Sequence, residues 1–306
     1  MEYAPTSHNK SAYGSGLDKM VKIINKIALH YMNHLNCLLI GVFAVFLFSC
    51  KTNPPRNMEE NLMLNFPGKM VDVNNHKMHI YSEGNGNIKL VFMAGAATCS
   101  PMLDFKTLFS KFGNDYKIIV VEKAGYGYSE ITNVSRDIDT ILYETRTALS
   151  NAGIAPPYIL FPHSMSGIEA LYWTQKYPNE ITAIVGLDPA MPIFYDDIKI
   201  NIGALKFGLS LVNSGFIKLI PCLYKIIPAI KYGSLTDDEK TEYKRLFYKR
   251  GITNDMVNEA IMIKENAKKI QIESTTKIPM LFFVSNGKGT GLSREKWENI
   301  FKQYSD

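Results

Sequence analysis

The chain has 306 residues, 46% of them hydrophobic and 21% charged, which excludes a disordered polypeptide and leaves room for one large domain or two small ones. The formal net charge of +5 comes from lysines scattered along the sequence, so no nucleic-acid partner is expected. Four well-separated cysteines, Cys37, Cys50, Cys99 and Cys222, contain no CxxC pair and suggest neither a disulfide framework nor a zinc site.

Residues 1–34 form a polar segment carrying Lys19, Lys22 and Lys26. Leu38 to Cys50 is then free of charge for 13 residues. A spanning helix needs about 20 apolar residues, so residues 35–50 suit a transmembrane or signal-anchor segment only by recruiting the polar positions before Leu38. A lipoprotein signal is the second reading, because Leu47-Phe48-Ser49-Cys50 resembles a lipobox. A buried soluble helix is the third. Pro54-Pro55 ends any helix here, and residues 51–66 read as a linker. The lysines before the apolar run outweigh Lys51 and Arg56 after it. A retained anchor would then leave the N-terminus in the cytoplasm and the rest of the chain outside it.

Strand patterns begin after the linker. Met70–Val73 and Lys77–Tyr81 flank Asn74-Asn75-His76, a hairpin signal. Lys89–Met93 is a continuous apolar run, as in a strand covered on both faces, and it ends in the small-residue loop Ala94-Gly95-Ala96-Ala97. A helix is predicted for 102–112 and a strand for Ile118–Val121. Ser135 is the expected N-cap of a helix with apolar positions at Ile138, Ile141, Leu142, Thr145 and Leu149, and Gly153 should end it. Tyr158–Phe161 reads as a strand, 167–177 as a helix and Ile181–Leu187 as a strand. This alternation predicts a parallel sheet covered on both faces. Residues 190–276 break the rhythm with helical patterns and read as a cap insertion. A strand at Pro279–Val284 and a helix at Arg294–Gln303 follow.

Pro162-His163-Ser164-Met165-Ser166-Gly167 joins a predicted strand to a predicted helix. A serine flanked by small residues at such a junction has the layout of a nucleophile elbow, with its oxygen exposed and a helix N-terminus behind it. A buried structural serine is the plainer reading.

These residues resemble the α/β-hydrolase superfamily from about Pro67 to Asp306. The family's oxyanion loop corresponds to Ala94-Gly95-Ala96. Its Asp-x-x-Gly-x-Gly-x-Ser turn corresponds to Glu122-Lys-Ala-Gly125-Tyr-Gly127-Tyr-Ser129, and its Gly-x-Ser-x-Gly elbow to Pro162-His-Ser164-Met-Ser166. The resemblance implies a mostly parallel sheet with helices on both faces and a helical cap insertion, here preceded by an N-terminal hydrophobic helix. It also implies hydrolysis of an ester, amide or related bond through an acyl-enzyme on Ser164. The N–H groups of Ala96 and Met165 would form the oxyanion hole. Related dehalogenases and epoxide hydrolases carry aspartate at the elbow, which disfavours those activities. No metal or organic cofactor is implied. The partners would be a small-molecule substrate, which the apolar cap helices suggest is hydrophobic, and a membrane reached through the N-terminal segment.

Three departures stand out. Proline and serine replace the elbow glycines. The usual place of the acid, Ser285–Gly291, has no carboxylate. Asp188 after the sixth strand is the alternative, with a plain turn aspartate as the competing reading. The third is the base: His163 is the last of the six histidines, where the family takes its base from a loop after an eighth strand. Neither His163, expected to point away from the serine, nor His79 in an early strand is an obvious substitute. The chain therefore reads as a member lacking the final strand and helix, with Met280–Val284 as an exposed apolar sheet edge. It would be inactive without a base, or a non-catalytic binding protein on the same fold.

Overall fold

The computed structural model describes residues 67–270, 278–287 and 290–302. The expected polar, anchor and linker segments, 1–34, 35–50 and 51–66, lie outside the described residues. Two asparagines set the first turn. Asn74 and Asn75 have φ of 46° and 67°, the left-handed region that asparagine tolerates and that a two-residue hairpin turn demands. They join β1 (Lys69–Val73) to β2 (His76–Glu83). His76 therefore belongs to the strand, paired with Val73, and not to the turn.

β3 (Ile88–Met93), β4 (Tyr116–Val121), β5 (Tyr158–Pro162), β6 (Ile181–Leu187) and β7 (Met280–Phe283) complete a seven-stranded sheet among the described residues, in the order β1-β2-β4-β3-β5-β6-β7. The pairs β1/β2 and β2/β4 are antiparallel; β3/β4, β3/β5, β5/β6 and β6/β7 are parallel. The apolar runs alternate between two cores because successive side chains leave a strand on opposite faces. Val91, Met93, Ile119 and Val121 join one core. Leu90, Phe92, Ile118 and Val120 join the other.

The helices follow from the same pattern. α1 (Pro101–Phe109) buries Phe105 and Phe109 in the second core. α2 (Ile138–Asn151) and α3 (Ser166–Lys176) pack on the first. The N-cap of α2 is Asp137 and not Ser135: its carboxylate accepts the Thr140 N–H at 3.1 Å and the Thr140 hydroxyl at 2.7 Å, a stronger cap than a neutral hydroxyl two residues too early. Between β6 and β7 come α4 (Phe194–Asp197), α5 (Ile202–Asn213), α6 (Pro228–Tyr232), α7 (Asp237–Arg250) and α8 (Asn254–Lys268), with short 3₁₀ turns at Phe216–Leu219 and Leu223–Ile226. α9 (Arg294–Lys302) buries Trp297, Ile300 and Phe301 against the first core.

Among the described residues β7 is the last strand of the sheet, and α9 packs on one of its faces. Met280 and Phe282 pack inward, whereas Leu281 and Phe283 are each more than half exposed. An apolar edge with open backbone groups invites pairing between chains. Replacing both residues, Leu281→Lys with Phe283→Lys, should raise the monomer fraction in size-exclusion chromatography and leave Tm within a few degrees. An unchanged fraction would place the association elsewhere.

Candidate active site

Ser164 sits between β5 and α3 with φ of 52°, a conformation that serine adopts only where the surroundings impose it. A set of hydrogen bonds around the turn imposes it here. The Ser164 carbonyl accepts N–H groups from Gly167 at 2.9 Å and Ala190 at 2.7 Å. The His163 N–H donates to the Met93 carbonyl at 3.0 Å, so the β3–β5 pairing continues past Pro162, which has no donor to give. Ser166 is buried, and its hydroxyl accepts the His163 N–H at 2.9 Å and donates to the Met93 carbonyl at 2.8 Å. Both departures from glycine are thus accommodated.

The loop after β3 presses on this turn. A Cβ on Gly95 would stand 2.8 Å from the Ser164 Cβ and 2.9 Å from the His163 carbonyl, so only glycine permits the approach. Ala96 follows Gly95 and Met165 follows Ser164 in the two segments that meet here. Among the described residues neither the Ala96 nor the Met165 N–H has a protein acceptor. Both donors are available to an oxyanion.

Asp188 closes the adjacent strand end, after β6, with φ of 51°. Its N–H donates to the Phe283 carbonyl at 2.7 Å. One carboxylate oxygen accepts the Ser285 N–H at 2.7 Å and the Trp297 indole N–H at 3.1 Å; the other accepts the Ser285 hydroxyl at 2.6 Å. Three acceptor sites are filled and about one remains. The Ser285 loop, which has no carboxylate of its own, carries donors for Asp188. Trp297 was not legible as part of this set, because only the packing of α9 brings it to Asp188.

Of the three histidines among the described residues, His76, His79 and His163, none has a hydrogen bond to Ser164. His163 is exposed and lies edge-on to Phe105 at 6.4 Å. Crowding by protein lowers its pKa against the pull of the Asp188 charge. His79 is buried, its Nδ1 3.0 Å from Glu122 and its Nε2 3.2 Å from the Pro67 carbonyl. Glu122 also accepts the Tyr128 N–H at 2.7 Å and the Met102 N–H at 3.3 Å. It thereby ties β2 and the following turn to the start of α1. A side chain on Gly127 would overlap the Glu122 carboxylate, which accounts for that glycine in the motif.

Sequence reasoning missed a buried charge cluster that reaches α3 behind the elbow. The Lys123 ammonium is paired with Glu169 of α3 at 2.7 Å and with Glu259 of α8. The Tyr126 hydroxyl donates to Glu259 at 2.6 Å. Its one local signal was Glu169 within the otherwise apolar Ile168–Trp173. Burial works against the Lys123 charge, but the two carboxylates outweigh it and raise its pKa. Burial and Glu259 push Glu169 up to about 7 against the attraction of Lys123. Burial likewise lifts Asp104 to about 7, although the Tyr243 hydroxyl donates to it. No group of side chains suited to a metal occurs among the described residues.

No family model matches the chain. Over 227 residues, 73% of its length, it is 42% identical to the uncharacterized protein YbdG of Bacillus subtilis (strain 168), and the match spans 70% of that protein. The chain belongs to the YbdG family. The uncharacterized YqjL of the same organism is 29% identical over 116 residues, a match taking in 38% of this chain and 44% of YqjL. Among solved structures, an epoxide hydrolase from Vigna radiata has a TM-score of 0.58 at 21% identity, covering 80% of this chain and 88% of its own. A putative lipase from Acinetobacter baumannii AYE has a TM-score of 0.54 at 13% identity, covering 81% and 82%. These likenesses show the fold, that of the α/β hydrolases.

Glu169 and Asp104 hold protons in the folded chain up to about pH 7, whereas exposed carboxyls release theirs near pH 4. The folded state then binds more protons than the unfolded one between those values, and stability falls as pH rises across that window, by at most about 1.4 kcal/mol per pH unit for each group. Glu169→Gln should flatten its share of the decline in Tm measured from pH 5 to 8. A parallel profile would mean that Glu169 is ionised throughout.

Proposed function

We propose that the YbdG-family chain carries the site of a serine hydrolase acting on an ester, amide or related bond, with Ser164 as nucleophile. The observation that supports this best is the left-handed φ of Ser164 on a strand-to-helix turn, pressed by the Gly95 loop. Attack by the Ser164 oxygen on a carbonyl carbon would form a tetrahedral oxyanion facing the Ala96 and Met165 N–H groups, each such donor being worth about 3 kcal/mol. Collapse would expel the leaving group as an alcohol or amine, protonated with the hydrogen that the Ser164 hydroxyl gives up through a base, and leave an acyl-serine for water to cleave. Asp188 is the proposed acid, oriented by Ser285 and Trp297 and retaining a free acceptor for an imidazole N–H. The epoxide hydrolase resembles this chain in fold only, and the elbow here presents serine.

A second reading is favoured by one specific observation. No histidine follows His163 in these 306 residues, and His79 is taken up by Glu122 and Pro67. Without a base the serine remains a weak nucleophile near neutral pH. The site would then bind without turnover.

A fluorophosphonate probe separates the two readings. Labelling of the folded chain that disappears in Ser164→Ala establishes an activated serine. No labelling in a chain with a cooperative thermal transition supports binding alone.

A membrane tether through 35–50, with the rest of the chain extracytoplasmic, is part of the proposal. No helix among the described residues is long and apolar enough to cross a membrane. Deleting 35–50 should move the chain from the carbonate-resistant membrane fraction to the soluble one; retention in the pellet would exclude that segment as the anchor.

A further inference from the structure

The region between β6 and α7 is chemically unlike the rest of the chain. From Ile198 to Thr236 there are five lysines and no acidic residue, so this stretch alone carries a charge equal to the formal net +5 of the whole chain. Lys199, Lys206, Lys218, Lys225 and Lys231 are all exposed, and none is ion-paired among the described residues. Of the four acids of the neighbouring α7, Asp237, Glu239 and Glu242 are held by Lys240, Lys106 and Arg245, and Asp238 forms no ion pair with these five lysines among the described residues.

Some apolar residues between these lysines pack inward, Val212 and Ala229 fully and Ile200, Ile227 and Ile230 in part, but many of the large ones do not. α5 buries only Val212, and Phe207 on it is open to solvent. Leu219 is 75% exposed, Ile226 70% and Tyr232 74%. A globular helix turns its apolar stripe inward. Here large apolar side chains and lysines face outward together, in short helical pieces interrupted by Pro221 and Pro228. Apolar anchors at acyl-chain depth, with lysines extending to the headgroups, are the chemistry of an interfacial segment.

We infer that residues 199–232 form a docking surface for an anionic lipid bilayer. A second copy of this chain would bring five like charges against five, which disfavours it as occupant. A small apolar substrate leaves the lysines unused. The surface is independent of any reaction at Ser164 and of how the N-terminal segment is held.

The test uses the full chain with Ile226→Trp and vesicles whose acyl chains are brominated. The native Trp173 and Trp297 are buried, so the introduced indole reports the surface. Vesicles rich in phosphatidylglycerol should quench it and pure phosphatidylcholine should not. Each lysine near an anionic surface is worth about fivefold in binding. Adding Lys218→Glu, Lys225→Glu and Lys231→Glu should therefore weaken the quenching at least about a hundredfold with Tm unchanged. No quenching on anionic vesicles would overturn the inference. So would equal quenching on neutral vesicles or in the charge-reversed variant. Shielding of the indole that rises with protein concentration and needs no vesicles would assign the surface to self-association instead.

Discussion

The carboxyl edge of this sheet depends on one close approach of backbones, Gly95 against the Ser164 turn. The loop after β3 can lie beside the elbow only because position 95 has no Cβ. That contact supports the left-handed conformation of Ser164 and directs the 95–97 loop across the serine. The Ser164 carbonyl, bonded to Gly167 and Ala190, carries the constraint on to the start of α3 and to the loop after β6. Three strand ends, those of β3, β5 and β6, are thereby held in one arrangement.

Behind this edge the protein places charge where an apolar core would be simpler. Lys123, Glu169 and Glu259 form one cluster. Arg136 pairs with Glu144 at 2.7 Å in another. Such groups add little net stability compared with apolar packing, but removing a single partner strands a charge and costs about 3–5 kcal/mol. Their effect is to fix geometry. Glu169 lies on the helix that begins at the elbow, and Tyr126, bonded to Glu259, lies in the turn after β4. The cluster thus ties α8 to both.

Most of the sheet was readable from the chain because its strands are short apolar runs whose alternation leaves few options. The elbow was readable because a serine among small residues at a strand–helix junction is a local pattern. Other features were not. Asp137 displaced Ser135 as cap through a carboxylate–amide bond that no periodicity reports. The lysines looked scattered when counted over the whole chain; the surface at 199–232 shows instead as a missing set of acids and as apolar residues left outside.

The sequence by itself determined the strand order in the chain, the serine on its turn and the absence of any histidine beyond His163, since these are matters of local composition and spacing. The tertiary structure alone decided what each polar group faces. Asp188 acquires Ser285 and Trp297 as donors across separations of 97 and 109 residues, and Lys123 meets Glu259 across 136. Pairings at that distance along the chain follow from how the sheet and its helices close, and no local pattern encodes them.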